Sequence, residues 1–177
     1  MEVDSGFISE NLDYYSETQG LMPEELEKYG EKYRDQGFLS REQLYEIAFE
    51  SSTRSAYHVK KNSKSVCREV TSNIIDMSGD YSPIALICSL SGFKAATASC
   101  VLTALNPEKH AVVDTRVWAS LERLGYFEER KESFGPEDYV KMIQPIREIA
   151  EETGFSPAQV GYALFAYDDK VRDGTLH

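Results

Sequence analysis

Cysteine, histidine and tryptophan are scarce in this sequence, at three, three and one residues. Cys67, Cys88 and Cys100 are odd in number and widely separated, which argues against both a disulfide framework and a zinc cluster. His58, His110 and His177 are equally scattered, and none stands at metal-ligand spacing from a cysteine or another histidine. No metal and no cofactor is expected. Long apolar runs are missing too, since nothing approaches the roughly 20 consecutive apolar residues of a membrane helix. The opening "MEVDSGFISENLDYY" lacks the basic-then-apolar pattern of a signal peptide. A cytoplasmic protein with no membrane partner is expected.

Alternating apolar and polar runs, internal repeats and low-complexity linkers are also absent, so neither a sheet nor a repeat array is indicated. The 177 residues, 41% of them hydrophobic, allow one well-buried core. The expectation is an all-α, single-domain helical bundle over 1–177, acting as a monomer. Residues 1–40 would form a helical extension.

Basic charge is in deficit, with 19 Lys and Arg against 30 Asp and Glu and a net charge of −11. That argues against coating nucleic acid through bulk electrostatics. Locally the balance reverses. The stretch "SSTRSAYHVKKNSKSVCR" carries Arg54, Lys60, Lys61, Lys64 and Arg68 with no acidic residue. Such a face either binds phosphate, with salt-dependent affinity, or is simply a solvated helix surface.

Helical signals fill the chain. Pro23 opens "PEELEKYGEKYRDQG", with acidic residues in the first turn and Gly37 at its end. Ser40 and Gln43 form a capping-box pattern before Leu44, Ile47 and Ala48. One longer helix is predicted from about Tyr57 to Met77, carrying the basic face and burying Val66, Val70, Ile74 and Ile75. Pro83 opens a short apolar helix, "PIALICSL". After "SGFK" a second apolar helix presents Ala98, Val101, Leu102 and Leu105 at helical spacing. An extended "AVV" then leads to Asp114, the N-cap of a helix whose Val117, Leu121 and Leu124 share one face. Two more helices follow, one with Pro145 as a kink and one capped by Ser156.

A Gly-centred turn between two helices lets backbone approach a phosphate chain, and the N–H groups opening the second helix can donate to its oxygens. An ordinary helix–helix turn also uses glycine there. What distinguishes this sequence is the pairing of "LSGFKAATASCVL" with "AVVDTRVWASLERLG". Together they resemble the signature of the HhH-GPD superfamily of DNA glycosylases, in particular its compact 8-oxoguanine-glycosylase-like branch. Leu90, Gly92, Thr97, Ala98 and Leu102 match the hairpin half, and Val113, Asp114, Thr115, Val117, Leu124 and Gly125 match the aspartate half. The resemblance centres on residues 84–125.

The resemblance implies a helix-hairpin-helix fold, DNA as partner, and base excision as activity, with Asp114 as the catalytic carboxylate. It implies DNA-backbone contacts from the hairpin residues Gly92, Phe93, Lys94 and Thr97, to which the basic face would add Arg54, Lys60, Lys61 and Lys64. Cys100, Trp118, Tyr162 and Phe165 would line the base pocket, with Tyr167 beside them. Members that also cut the strand use a lysine where this chain has Ala96, because an amine must form a Schiff base with the sugar. A monofunctional enzyme, hydrolysing the N-glycosidic bond only, is therefore expected. Lys94 takes the place of the hairpin's second glycine, at a cost of about 1–2 kcal/mol if φ must be positive there. Two other readings stay open at this stage: a non-catalytic DNA-binding or interaction protein on the same fold, and burial alone for Cys100 and Trp118.

Overall fold

The computed structural model describes residues 3–18 and 22–172; His177 lies outside them. Ten α-helices and one 3₁₀ segment follow one another, with no strand among the described residues. The helices are α1 (Ser5–Thr18), α2 (Met22–Gln36), α3 (Arg41–Ser51), α4 (Thr53–Ala56), α5 (Lys64–Ser72), α6 (Tyr81–Cys88), α7 (Ala95–Leu105), α8 (Thr115–Arg123), α9 (Pro136–Thr153) and α10 (Pro157–Val171). The 3₁₀ segment, Tyr57–Lys61, separates α4 from α5. Among the described residues no helix is long and apolar enough to cross a membrane.

The α7 helix is the hub of this arrangement. Every residue from Thr97 to Leu105 on it is buried, because its sequence is apolar or small all round and other helices surround it. Packed against it are α2, α3, α6 and α9. Its hydroxyls are satisfied locally, Ser99 and Thr103 donating to carbonyls at Ala96 and Ser99. The α10 helix forms a second centre, lying against α1, α8 and α9. The capping box expected at Ser40 and Gln43 forms, and Ser156 caps its helix as expected, with Gln159 completing a second box there.

The single long helix expected from Tyr57 to Met77 does not exist. It is divided into α4, the 3₁₀ segment and α5, and the reason lies at Asn62 and Ser63. Asn62 is extended, and Ser63 caps α5 by accepting from the Val66 N–H. The Asn62 amide is committed elsewhere, donating to the Val59 and Ser91 carbonyls and accepting from the Ser91 N–H, each at 2.9 Å. That reciprocal pair ties the break to the turn between α6 and α7. The face of the segment changes with it: Val70 and Ile74 are buried, whereas Val66 and Ile75 are exposed.

Candidate active site

A cleft of about 920 Å³ opens where α1, α3, α4, the α6–α7 turn, the start of α8 and α10 converge. It takes in Asp114 and, from the turn and the start of α7, Gly92, Phe93, Lys94, Ala96 and Thr97. Two stretches far apart in the chain thus meet at one opening.

The turn is held tightly. The Phe93 N–H donates to the Leu90 carbonyl, and Gly92 sits at φ 92°. A Cβ there would lie 2.8 Å from Val59 Cγ2, 2.9 Å from Val59 N and 3.1 Å from the Ser55 carbonyl oxygen, so both conformation and space demand glycine. The positive φ stops at Gly92. Lys94 is an exposed, extended N-cap of α7 at φ −107°, so a lysine in place of the second glycine carries no left-handed strain. No side chain among the described residues caps α7, and Lys94, Ala96 and Thr97 at its start line the cleft. Phe93 is 5% exposed and belongs to the core, which makes it an anchor of the turn more than a projecting contact.

Asp114 is fixed from two sides. The preceding Val113 N–H donates to Ser99 Oγ on α7 at 3.0 Å. Two residues later Arg116 forms an ion pair with Asp169 on α10, and its guanidinium lies 4.8 Å from the Phe165 ring centre. Farther along α8, Ser120 donates to the Leu164 carbonyl. The aspartate itself is an N-cap: Oδ1 accepts from the N–H groups of Arg116 and Val117 at 2.9 and 3.0 Å. Oδ2 has no hydrogen-bond partner among the described residues. One oxygen holds the helix and the other remains for chemistry.

The electrostatics of Asp114 differ from what a helix N-terminus alone implies. Desolvation raises its pKa, and the two N-cap hydrogen bonds and the Arg116 charge only partly oppose that rise. A carboxylate so placed accepts a proton more readily than one in water. That suits a general base.

The base-pocket residues divide. Tyr162 and Phe165 on α10 line the cleft. Trp118 does not: it is turned about 100° from Val117, which does line it. Its ring stacks on Phe127 and Phe134, and its Nε1 donates to the Glu129 carbonyl. Cys100 is 1% exposed and lies behind the wall, its Sγ directed to the Ala96 carbonyl, with burial pushing the thiol up to about 12. It is inert at neutral pH. Tyr167 packs on Phe7 instead.

The basic face likewise breaks up. Arg54 lines the cleft, as does His58. Lys60 and Lys61 lie over the rings of Tyr45 and Tyr57, and Lys64 pairs with Glu42. None of these three lysines lines the cleft, because the loss of the continuous helix turns them onto other faces.

Sequence reasoning missed Tyr15 of α1, which meets Tyr162 and Phe165 with ring centres 5.1 and 5.8 Å apart. Its spacing from Ile8 and Asn11 marks a buried face, but not the partner that face meets. The serines Ser51, Ser52 and Ser55, also lining the cleft, had no sequence signal.

No family model matches this sequence, and no curated protein matches it. One solved structure does: the Methanocaldococcus jannaschii 8-oxoguanine glycosylase/lyase, crystallised with a 15mer DNA containing 8-oxoguanine. It superposes with a TM-score of 0.52 at 16% sequence identity, covering 96% of this chain and 84% of that one. The fold is therefore similar to that of the matched glycosylase/lyase. In this chain the α6–α7 turn leads into α7, and Asp114 opens α8, the next helix.

Proposed function

We propose that this chain is a monofunctional DNA glycosylase, hydrolysing the N-glycosidic bond of a damaged or modified base, with Asp114 as its catalytic carboxylate. One observation carries the reading: an aspartate with one committed and one free oxygen shares a cleft with the uncapped start of α7 and a wall of aromatic rings.

Breaking the bond between the sugar and the base develops positive charge on the sugar. An ionised carboxylate beside it lowers that barrier, and its raised proton affinity lets it take a proton from the attacking water. The base leaves with the bonding electrons and takes a proton from solvent, the water oxygen bonds to the sugar carbon, and Asp114 returns the water's proton to solvent. A base must leave its stack to reach such a carboxylate, and the cleft, at about 920 Å³, is large enough to receive one. The α7 N–H groups with Lys94 and Arg54 supply the grip on the phosphate chain.

The lyase half of the matched protein's name does not extend to this chain. The position that the resemblance assigns to the Schiff-base lysine is Ala96, which lines the cleft and carries no amine. Lys94 lies two residues earlier, outside the first turn of α7, and serves as a phosphate contact.

The test is base release, read by mass spectrometry, from oligonucleotides bearing oxidised, deaminated, alkylated or mismatched bases. Release of a base, with strand cleavage only after heat or alkali, is the expected result. A covalent complex trapped by borohydride would overturn the monofunctional assignment.

A further inference from the structure

Asp114 stands at the end of a stretch that is neither helix nor strand, running from the C-cap of α7 to the N-cap of α8. Such a stretch cannot satisfy its own backbone, so its polar groups depend on partners elsewhere. Those partners lie on three helices. The Pro107 carbonyl accepts from the Ala158 N–H of α10, and the Lys109 carbonyl accepts from Arg147 Nε and Nη2 of α9 at 2.9 and 2.8 Å. The Val113 N–H, next to the aspartate, uses Ser99 Oγ of α7.

The residues just before Asp114 are held at two points. Ser99 is wholly buried and uses its hydroxyl twice, donating to the Ala96 carbonyl at 2.6 Å and accepting from Val113 at 3.0 Å. Gly161, inside α10, has no positive φ to explain it, and glycine is a poor residue for a helix interior. Space explains it instead: a Cβ there would lie 3.0 Å from Ala111 Cβ and 3.1 Å from the Val112 carbonyl oxygen. The missing side chain lets the stretch lie directly on α10.

We infer that Ser99 and Gly161 are positioning residues for the Asp114 carboxylate, setting how far it reaches into the cleft by holding Val113 and Val112. This rests on the glycosylase reading above. The N-cap bonds tie the carboxylate to α8 alone, whereas Ser99 and Gly161 refer it to α7 and α10, two walls of the cleft. Ala96, which accepts from Ser99, lines the cleft in the first turn of α7. The helix that grips the phosphate chain and the residue that attacks the sugar therefore share one frame, and a displacement of about 1 Å in such a frame costs about a hundredfold in rate.

The test separates placement from stability. Base release is followed in single turnover at saturating protein for the wild type, Ser99→Ala, Gly161→Ala and Ile149→Val, the last a buried α9 residue outside the cleft lining. Affinity for a duplex carrying a tetrahydrofuran residue and Tm are measured beside it. Ser99→Ala is expected to lower Tm, because it leaves the Val113 N–H unpaired, and Ile149→Val to lower it through lost packing. Gly161→Ala is expected to melt near the wild type, its gain in helix propensity offsetting the crowding. Ser99→Ala and Gly161→Ala should each slow release about ten- to a hundredfold with tetrahydrofuran affinity unchanged, and Ile149→Val should not slow it. Release at the wild-type rate in either variant, or slowing that merely follows Tm across all three, would overturn the assignment. Should Gly161→Ala not fold, Ser99→Ala against Ile149→Val decides. The Asp114 carboxyl, titrated by NMR, is expected to shift its pKa in the two site variants and not in Ile149→Val. A wild-type protein that releases no base thus refutes catalysis, while an unmoved titration refutes the positioning.

Discussion

Gly92→Ala is the substitution whose cost can be worked most fully from the structure, because Gly125 provides a control at almost the same backbone angle. Gly92 lies at φ 92° and Gly125 at φ 89°. An alanine at either site costs about 1–2 kcal/mol for the left-handed conformation. Only Gly92 is crowded: its Cβ would meet Val59 N at 2.9 Å and the Ser55 carbonyl at 3.1 Å, whereas nothing lies within 4 Å at Gly125. Those are backbone atoms and cannot rotate away, so overpacking adds about 1–3 kcal/mol. Gly92→Ala should therefore lose about 2–5 kcal/mol and Gly125→Ala about 1–2 kcal/mol. At about 2–4 °C per kcal/mol for a chain of this size, Tm resolves the difference in a thermal melt followed by circular dichroism. Equal losses at the two sites would refute the claim that the turn rests on Val59 and Ser55.

Other perturbations have equally defined outcomes. Asp114→Ala should cost about 1 kcal/mol through loss of the N-cap. Asp114→Asn should leave Tm unchanged or raise it at neutral pH, since it keeps the cap and removes a desolvated charge; Tm of the two variants checks this. The pKa of His110 is lowered to about 4, by burial first and then by the Arg147 and Lys109 charges. The unfolded chain therefore binds a proton that the fold refuses, and stability falls by roughly 3 kcal/mol as pH drops from about 6.5 to 4. His110→Gln should flatten that part of a Tm–pH profile. Removing Arg54 or Lys94 should weaken DNA binding and shallow its dependence on salt, while Lys60→Ala, Lys61→Ala and Lys64→Ala should do so far less. Fluorescence anisotropy across a salt series distinguishes the two groups.

What the sequence disclosed was local. The hairpin glycine, the Ser40 capping box and the Ser156 and Asp114 N-caps depend on neighbours within a few residues, and each was readable from spacing and residue type. The division of the 57–77 segment was not, because Asn62 is drawn out of a helix by Ser91, a residue in another part of the chain. The same break scattered the lysines of an apparently continuous basic face. The resemblance implies a pocket role for Trp118, yet the helix turns it toward Phe127 and Phe134. Tyr15 could not be found at all by such reasoning: it reaches the site only because α1 packs on α10, a contact that no local pattern encodes.

The central claim is that the free oxygen of Asp114 promotes base excision in this cleft. It is tested most directly by measuring base release from the panel of modified oligonucleotides with wild-type protein and Asp114→Asn side by side, at matched folding and DNA affinity. The account predicts release of one class of base by the wild-type protein and none by the variant. Release that persists in Asp114→Asn, or no release from any oligonucleotide by a folded, DNA-bound wild-type protein, would contradict it.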